Sequence, residues 1–135
     1  MRLLSELKLP ADINNLRDFV EFVSSCAEGQ GISPGRITEI GVATEEVLVN
    51  ICNYAYQEQV GEVKVSCMLD DESRFVIEIE DTGIPFDVHG LDAPDLTDDI
   101  DERKVGGLGV FIIKELVEDV QYRREDNKNI LKLVI

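Results

Sequence analysis

Three glycines within four residues, Gly106, Gly107 and Gly109, run directly into an apolar segment with helical periodicity. Glycine lets the backbone approach a ligand closely and adopt dihedral angles that are closed to other residues. The free N–H groups and the positive dipole end of the following helix favour an anion. A glycine cluster before a helix is also a common form of tight loop, so a phosphate site and a plain loop both stay open from this feature alone.

The charge balance excludes one class of ligand. The chain has 28 acidic residues against 13 basic ones, which gives a formal net charge of −15. A surface this acidic repels nucleic acids and anionic membranes, so we expect neither as a partner. A basic protein surface is easier to accommodate, and the alternative is that the acidity serves only solubility.

Length and cysteine usage predict one soluble cytoplasmic domain over residues 1–135. A chain of 135 residues is long enough to bury a sound core. Cys26, Cys52 and Cys67 have no CxxC spacing and are odd in number, which indicates reduced, mostly buried thiols. The first residues become charged too early for a signal peptide, and no apolar run reaches the length of a membrane span.

Hydrophobic periodicity predicts the order β-α-α-β-β-loop-α-β-β. The predicted elements are an edge strand at 2–9, a helix from Asp12 to about 29–31, a helix from Ser33–Pro34 to just before Gly61, strands at 63–69 and 75–80, a helix at 108–118, and a hairpin of 120–124 and 130–135 around residues 126–129. A loop rich in Gly, Pro and Asp occupies 82–105. This order predicts an α+β fold, a two-layer sandwich with a mixed, mostly antiparallel sheet and helices on one face.

Two further motifs carry polar groups suited to a ligand. Glu46 and Asn50 lie four residues apart on the second long helix, so their side chains point the same way. Glu39, Asn53 and Gln57 share that stripe. A polar stripe is more often a solvated helix face, and spacing alone does not decide between the two interpretations.

The other motif is Asp81-x-Gly83, which directly follows a strand. An aspartate at a strand end can hydrogen-bond a flat base, while the glycine lets the backbone approach that base. The same pattern is a common turn signal, so both interpretations remain open when the motif stands alone.

Taken together, the motifs occur in one order along the chain: Glu46-x-x-x-Asn50, then Asp81-x-Gly83, then the glycine segment 106–109. In this order they resemble the GHKL (histidine-kinase-like) ATP-binding superfamily, which implies the Bergerat ATP-binding fold. Within it, the chain is most similar to the anti-sigma-factor serine/threonine kinases of bacterial partner-switching systems. The resemblance covers nearly the whole chain and includes residues 43–56 and 116–122.

The resemblance implies ATP and Mg²⁺ as cofactors and assigns a role to each motif. Asp81 is implied as the acceptor of the adenine amino group, with Gly83 letting the base pack closely. Asn50 is implied as the Mg²⁺ ligand, and Asn53 is a weaker candidate for binding nearby. Residues of about 86–105 are implied as the ATP lid. The implied phosphate contacts are Lys104 and the segment Gly106, Gly107, Leu108 and Gly109.

The resemblance further implies an ATP-dependent serine/threonine protein kinase with Glu46 as the general base. Orienting a substrate hydroxyl needs no shifted pKa, because phosphoryl transfer depends mostly on alignment and charge neutralisation. The implied substrate is a STAS-domain anti-anti-sigma factor, with a sigma factor as a second partner and a homodimer as the assembly.

Three departures from the family pattern are visible in the sequence. Tyr54 stands where many relatives have histidine, the last strand lacks a threonine that many relatives place near the phosphates, and the lid is strongly acidic. The lid acids are Asp92, Asp95, Asp98, Asp99, Asp101 and Glu102. They favour an alternative, a non-catalytic nucleotide-gated binding module, whereas Glu46 with Asn50 favours the kinase. A purely structural acidic domain is the third hypothesis.

Overall fold

Five strands and three helices form the described part of the chain, which is residues 1–55, 61–85 and 107–135 of a computed structural model. The strands are β1 (Arg2–Pro10), β2 (Glu62–Leu69), β3 (Phe75–Asp81), β4 (Asp119–Glu125) and β5 (Lys128–Val134). The helices are α1 (Leu16–Gly29), α2 (Pro34–Asn50) and α3 (Gly107–Leu116). A 3₁₀ turn at Ile13–Asn15 precedes α1, and a π-helical turn at Ile51–Ala55 follows α2. The order of elements is the predicted one.

One sheet joins the five strands in the order β1-β2-β3-β5-β4. All four pairings between these strands are antiparallel, so the described sheet contains no parallel pair. The predicted α+β class is confirmed. No helix in the described ranges is long and apolar enough to cross a membrane.

The core lies between the helices and one face of the sheet. Alternate residues of the central strands point into it, as the period of two in a strand requires. Val65, Ile77 and Leu133 are completely buried there, together with Val23 of α1 and Ile40 of α2. The thiols behave as expected from the sequence, because Cys67 is buried and Cys26 and Cys52 are half-buried and free.

Polar residues fix where the first two helices begin. The Asp12 carboxylate accepts a hydrogen bond from the Asn14 N–H at 2.8 Å, which caps the 3₁₀ turn, so the α-helix itself starts only at Leu16. Ser33 caps α2 by accepting from the Arg36 N–H at 3.4 Å, and Pro34 occupies the first turn. Both caps agree with the sequence signals, because side-chain oxygens at these positions satisfy N–H groups that have no partner inside the helix.

The contacts of Arg36 and of the first β3 residues fix the directions of the elements. Arg36 Nη1 near the start of α2 donates to the Leu116 carbonyl at the end of α3, at 2.5 Å, so the two helices run antiparallel. Arg36 also lines a cavity of about 290 Å³ with Phe75, the first residue of β3. The starts of α2 and β3 therefore share one end of the molecule. Because α2 and β3 each span roughly 25 Å, their ends lie toward the opposite end of the molecule, and the antiparallel α3, roughly 15 Å long, begins on that side.

Candidate functional site

Asp81 is the last residue of β3, at the end of the molecule where α2 finishes and α3 begins. It is only 5% exposed, although it carries a carboxyl group. Its Oδ1 accepts a hydrogen bond from the Gly83 N–H at 2.8 Å. The turn interpretation of Asp-x-Gly is therefore correct for Oδ1, but burial sets this carboxyl apart from an ordinary surface turn.

Asn129 on β5 is the direct partner of Asp81. The two residues face each other in the β3–β5 register, and Asn129 Nδ2 donates to Asp81 Oδ1 at 2.9 Å. The same nitrogen donates to the Ile84 carbonyl at 2.7 Å. Oδ1 of Asp81 thus receives two hydrogen bonds, whereas no described residue donates to Oδ2. That oxygen is left for a ligand.

The sequence interpretation missed Asn129, because it assigned residues 126–129 to the hairpin turn. The turn consists of Asp126 and Asn127, whose φ angles are +52° and +63°, and β5 already begins at Lys128. Two adjacent residues with positive φ form the tight type of hairpin turn that matches strand twist. A two-residue turn at Asp126-Asn127 makes Asn129 a residue of β5, opposite Arg124 of β4 on one side and Asp81 of β3 on the other.

Two side chains of β4 hold the Asn129 amide from the other side. Arg124 Nη1 donates to Asn129 Oδ1 at 2.9 Å and to the Gly83 carbonyl at 3.1 Å. The Tyr122 hydroxyl donates to the same Oδ1 at 2.5 Å. A network of four side chains and the Gly83 backbone therefore fixes the loop that follows β3.

Burial raises the pKa of the Asp81 carboxyl above its usual value. The neighbouring charge of Glu80 adds to this, whereas the hydrogen bonds from Asn129 and Gly83 and the positive charge of Arg124 oppose it. A desolvated carboxylate interacts strongly with any donor that reaches it. The site is thus suited to one well-placed hydrogen bond from a ligand.

The polar stripe of α2 is not a uniformly solvated face. Asn50 is 8% exposed and Glu46 is half-buried one turn earlier. Within the described ranges no group hydrogen-bonds the Asn50 amide, although buried amides normally have partners. Glu39 is exposed at the far end of the helix, where it pairs with Arg36 at 3.0 Å.

The sequence predicted one continuous helix that ends just before Gly61, and the structure corrects this at residues 51–55. The α-helix ends at Asn50, and residues 51–55 form a π-helical turn. The wider turn changes the angle between successive residues, so Asn53 no longer follows the stripe and is exposed whereas Asn50 is buried. Gln57 lies outside the described residues.

The backbone of α3 begins at Gly107. The first N–H groups of an α-helix have no partner within it, so Gly107, Leu108 and Gly109 present donors at this end of the molecule. Gly106, Lys104 and the predicted lid at 86–105 lie outside the described residues. The cavity beside Arg36 is at the opposite end and is not part of the candidate site.

The described residues contain no cluster of three or more His, Cys, Asp or Glu side chains that would form a protein-only metal site. Mg²⁺ is commonly held by one or two protein oxygens together with substrate phosphates and water. The Asn50 amide oxygen, buried and without a described partner, fits that kind of ligand.

Comparisons with known proteins show the family of this chain. Residues 9–135 match the family model described as histidine kinase-like ATPase domain. The serine-protein kinases RsbW of Bacillus cereus and Bacillus anthracis are 27% identical over 130 residues, which is 93% of this chain and 81% of theirs.

Two solved structures share the fold. The SiaB–SiaC complex from Pseudomonas aeruginosa gives a TM-score of 0.72 at 16% identity, covering 99% of this chain and 90% of that one. The RsbU and RsbW domains of Rv1364c from Mycobacterium tuberculosis give a TM-score of 0.67 at 16% identity, covering 97% of this chain and 32% of that one.

Proposed function

Because the chain belongs to the family of histidine kinase-like ATPase domains, we propose that it is an ATP-dependent serine/threonine protein kinase of the anti-sigma-factor type. Membership of the family confirms the resemblance that the three motifs indicate. The observation that carries the proposal is Asp81, a buried carboxylate held through Oδ1 with Oδ2 left for a ligand.

Asp81 Oδ2 accepts the 6-amino group of adenine in this proposal. An ionised carboxylate has acceptors only, so it pairs with an amino group and repels a carbonyl at the same position. Gly83, which is buried and has no side chain, lets the base lie against the loop. Although the pKa of Asp81 is raised, the carboxyl is ionised at any pH above that raised value and is then an acceptor for the amino group.

The phosphates lie between the end of α2 and the start of α3. Backbone N–H groups of Gly106, Gly107, Leu108 and Gly109 donate to them, and Lys104 adds a positive charge. Asn50 holds Mg²⁺ through its amide oxygen, and Asn53 binds the phosphates or their water from the exposed side. Mg²⁺ supplies neutralisation of phosphate charge.

Glu46 is the proposed catalytic residue. It lies one helical turn before Asn50 on the same side of α2 and is half-buried, so its carboxylate is held close to the phosphate site while still reachable from solvent. Glu46 accepts the hydrogen bond of the substrate serine or threonine hydroxyl and orients its oxygen toward the γ-phosphate. As the new oxygen–phosphorus bond forms, Glu46 receives the hydroxyl proton, the bond between the γ-phosphorus and the β,γ-bridging oxygen breaks, and ADP leaves.

The protein substrate is a STAS-domain anti-anti-sigma factor, following the resemblance, and phosphorylation releases it from the kinase. A sigma factor competing for the kinase and a kinase homodimer complete the proposed partner switch. The net charge of −15 favours partner surfaces that are less acidic than this one. The cytoplasm is the proposed compartment.

Single-turnover phosphorylation tests the proposal. The chain is incubated with Mg-ATP and the STAS-domain protein encoded closest to it, and phosphate transfer is measured. Glu46→Gln should lower transfer about 10²–10⁴-fold while ATP binding is kept. Glu45→Gln is the matched control, because Glu45 is the exposed neighbour on the same helix and its loss should leave transfer unchanged.

Two outcomes contradict the proposal, the first its catalytic residue and the second its kinase activity. Full transfer by Glu46→Gln removes Glu46 from the chemistry. ATP binding without any transfer supports the alternative, a nucleotide-gated binding module, which the acidic composition of residues 92–102 favours because those charges repel ATP.

A further inference from the structure

We propose that Arg124 is a positioning residue that makes the site select purines with an amino group at position 6. The inference rests on the proposed nucleotide site, since Arg124 acts through Asn129 on Asp81. It assigns a role to edge strand β4, which carries none of the motifs found in the sequence.

The orientation and position of the Asn129 amide are the properties that Arg124 stabilises. An amide presents an acceptor on one side and two donors on the other, and it can be turned over in a similar space. A guanidinium has donors only, so Arg124 Nη1 at 2.9 Å requires Asn129 Oδ1 to face it. The Tyr122 hydroxyl is a weaker constraint, because a hydroxyl can donate or accept.

With the amide held in this way, both N–H groups of Asn129 point toward the loop after β3. They donate to Asp81 Oδ1 at 2.9 Å and to the Ile84 carbonyl at 2.7 Å. Oδ1 is then saturated by Asn129 and by the Gly83 N–H. The carboxylate cannot rotate without breaking these hydrogen bonds, so the position of Oδ2 is fixed.

Loss of the guanidinium leaves Asn129 Oδ1 with the Tyr122 hydroxyl as its described donor and removes the donor that β4 gives to the Gly83 carbonyl. The reverse amide orientation stays unfavourable, because it would set the amide oxygen against Asp81 Oδ1 and the Ile84 carbonyl. The amide and the Asp-x-Gly turn are instead held less firmly, so the carboxyl can rotate and its free oxygen is no longer a fixed acceptor. The preference for a 6-amino over a 6-oxo purine then falls.

Arg124 also fixes the backbone that carries Asp81. Its Nη1 donates to the Gly83 carbonyl at 3.1 Å, which ties the Asp-x-Gly turn to β4. Although Arg124 belongs to an edge strand and is largely exposed, its guanidinium thus reaches two groups that define the base pocket.

The test measures binding of ATP and of inosine triphosphate, its 6-oxo analogue, to the full chain by calorimetry with Mg²⁺. Arg124→Gln should lower the ATP-to-inosine-triphosphate affinity ratio about tenfold, the effect of one misplaced hydrogen bond to a charged group. Arg124→Lys keeps a donor-only cation and should restore most of the ratio. Arg123→Gln is the matched control, because it removes the same charge from the adjacent residue, which pairs with Glu78 and Glu125 instead.

Asn129→Asp tests the same step without changing Arg124. It replaces the donating nitrogen by an oxygen and should also lower the ratio. An unchanged ratio in Arg124→Gln, or an equal fall in Arg123→Gln, overturns the inference and leaves the proposed function intact. Failure of the unaltered chain to bind either nucleotide overturns the proposed function, and with it the inference.

Discussion

Asp81 and Asn129 face each other across the β3–β5 pairing, and the amide of Asn129 donates to the buried carboxyl at 2.9 Å. A carboxyl so far from water is destabilising for the fold unless its oxygens have partners. Oδ1 of Asp81 has two hydrogen-bond partners, and Oδ2 has none among the described residues. An unfavourable buried group of this kind is typical of binding sites, and it supports the proposed role of Asp81.

The first prediction concerns Asp81→Asn. The substituted amide can still accept from Gly83 and Asn129 through its oxygen, so the turn should persist. Its NH₂ group then faces the 6-amino group of adenine, donor against donor. We expect the ATP affinity to fall at least about tenfold, as measured by calorimetry. An unchanged affinity would remove Asp81 from base recognition.

The stability of the same variant tests whether burial of the Asp81 carboxyl is unfavourable. Burial raises the pKa of Asp81 above its ordinary value of 3.8, so the folded state binds this proton more tightly than the unfolded chain. The free energy of unfolding therefore decreases as the pH rises from 3.8 through the raised folded-state pKa. Asp81→Asn should remove that decrease and be more stable than the unaltered chain at neutral pH.

Urea unfolding across the pH range measures this effect. Asp119→Asn is the control, since the Asp119 side chain is exposed and its carboxylate accepts a hydrogen bond from the Gln121 side chain. A variant at position 81 that is less stable at neutral pH would contradict the assignment of Asp81 as a group held at an energetic disadvantage.

A second pH effect follows for binding. Adenine recognition requires the ionised carboxyl, so ATP affinity should fall as the pH is lowered through the raised pKa of Asp81. The fall should begin at a higher pH than an ordinary aspartate would give. Asp81→Asn should lack this step, and titration calorimetry at several pH values compares the two.

Sequence patterns predicted the order of elements, the helix caps and the motif at Asp81, because each depends on residues close together in the chain. Asn129 was missed for the opposite reason. Its contact with Asp81 spans 48 positions and depends on the register of β3 against β5, which no short-range sequence pattern fixes. Arg124 and Tyr122 were missed with it, since both act through Asn129.

The end of α2 shows a second limit. The apolar stripe runs past Asn50 with unbroken helical spacing, and no proline or glycine marks a stop before Gly61. A π-helical turn leaves this pattern nearly unchanged while rotating the residues that follow. The burial of Asn50 and the exposure of Asn53 therefore required the structure.

This difference leads to a prediction about Mg²⁺. Asn50→Ala should weaken ATP binding about tenfold or more in the presence of Mg²⁺ and have little effect in excess chelator, because it removes a proposed metal ligand. Asn53→Ala is the matched control in the exposed π-helical turn and should have a smaller effect. Equal effects of the two variants, or an Asn50→Ala loss that persists in chelator, would reject Asn50 as the ligand.

Thr44 offers a prediction about the core beneath the site. It is completely buried on α2, and its hydroxyl has no hydrogen-bond partner in the described part of the chain. Thr44→Val keeps the shape and removes the unpaired hydroxyl, so we expect the free energy of unfolding to rise by about 1 kcal/mol. Thr38→Val is the control, since the Thr38 hydroxyl donates to the Pro34 carbonyl at an exposed position and its loss should not stabilise. Chemical denaturation of both variants decides the matter.

The hairpin turn that sets the β4–β5 register gives the last prediction. Asn127 has a φ of +63°, a conformation that asparagine and glycine tolerate and alanine does not. Asn127→Ala should therefore destabilise the chain by about 1 kcal/mol, whereas Asn127→Gly should be neutral or slightly stabilising. Because the turn places Asn129 opposite Arg124, a shifted register in Asn127→Ala would also break the Arg124–Asn129 hydrogen bond and weaken ATP binding, and Asn127→Gly should bind normally. Equal stability of the alanine and glycine variants would show that the turn does not hold this register.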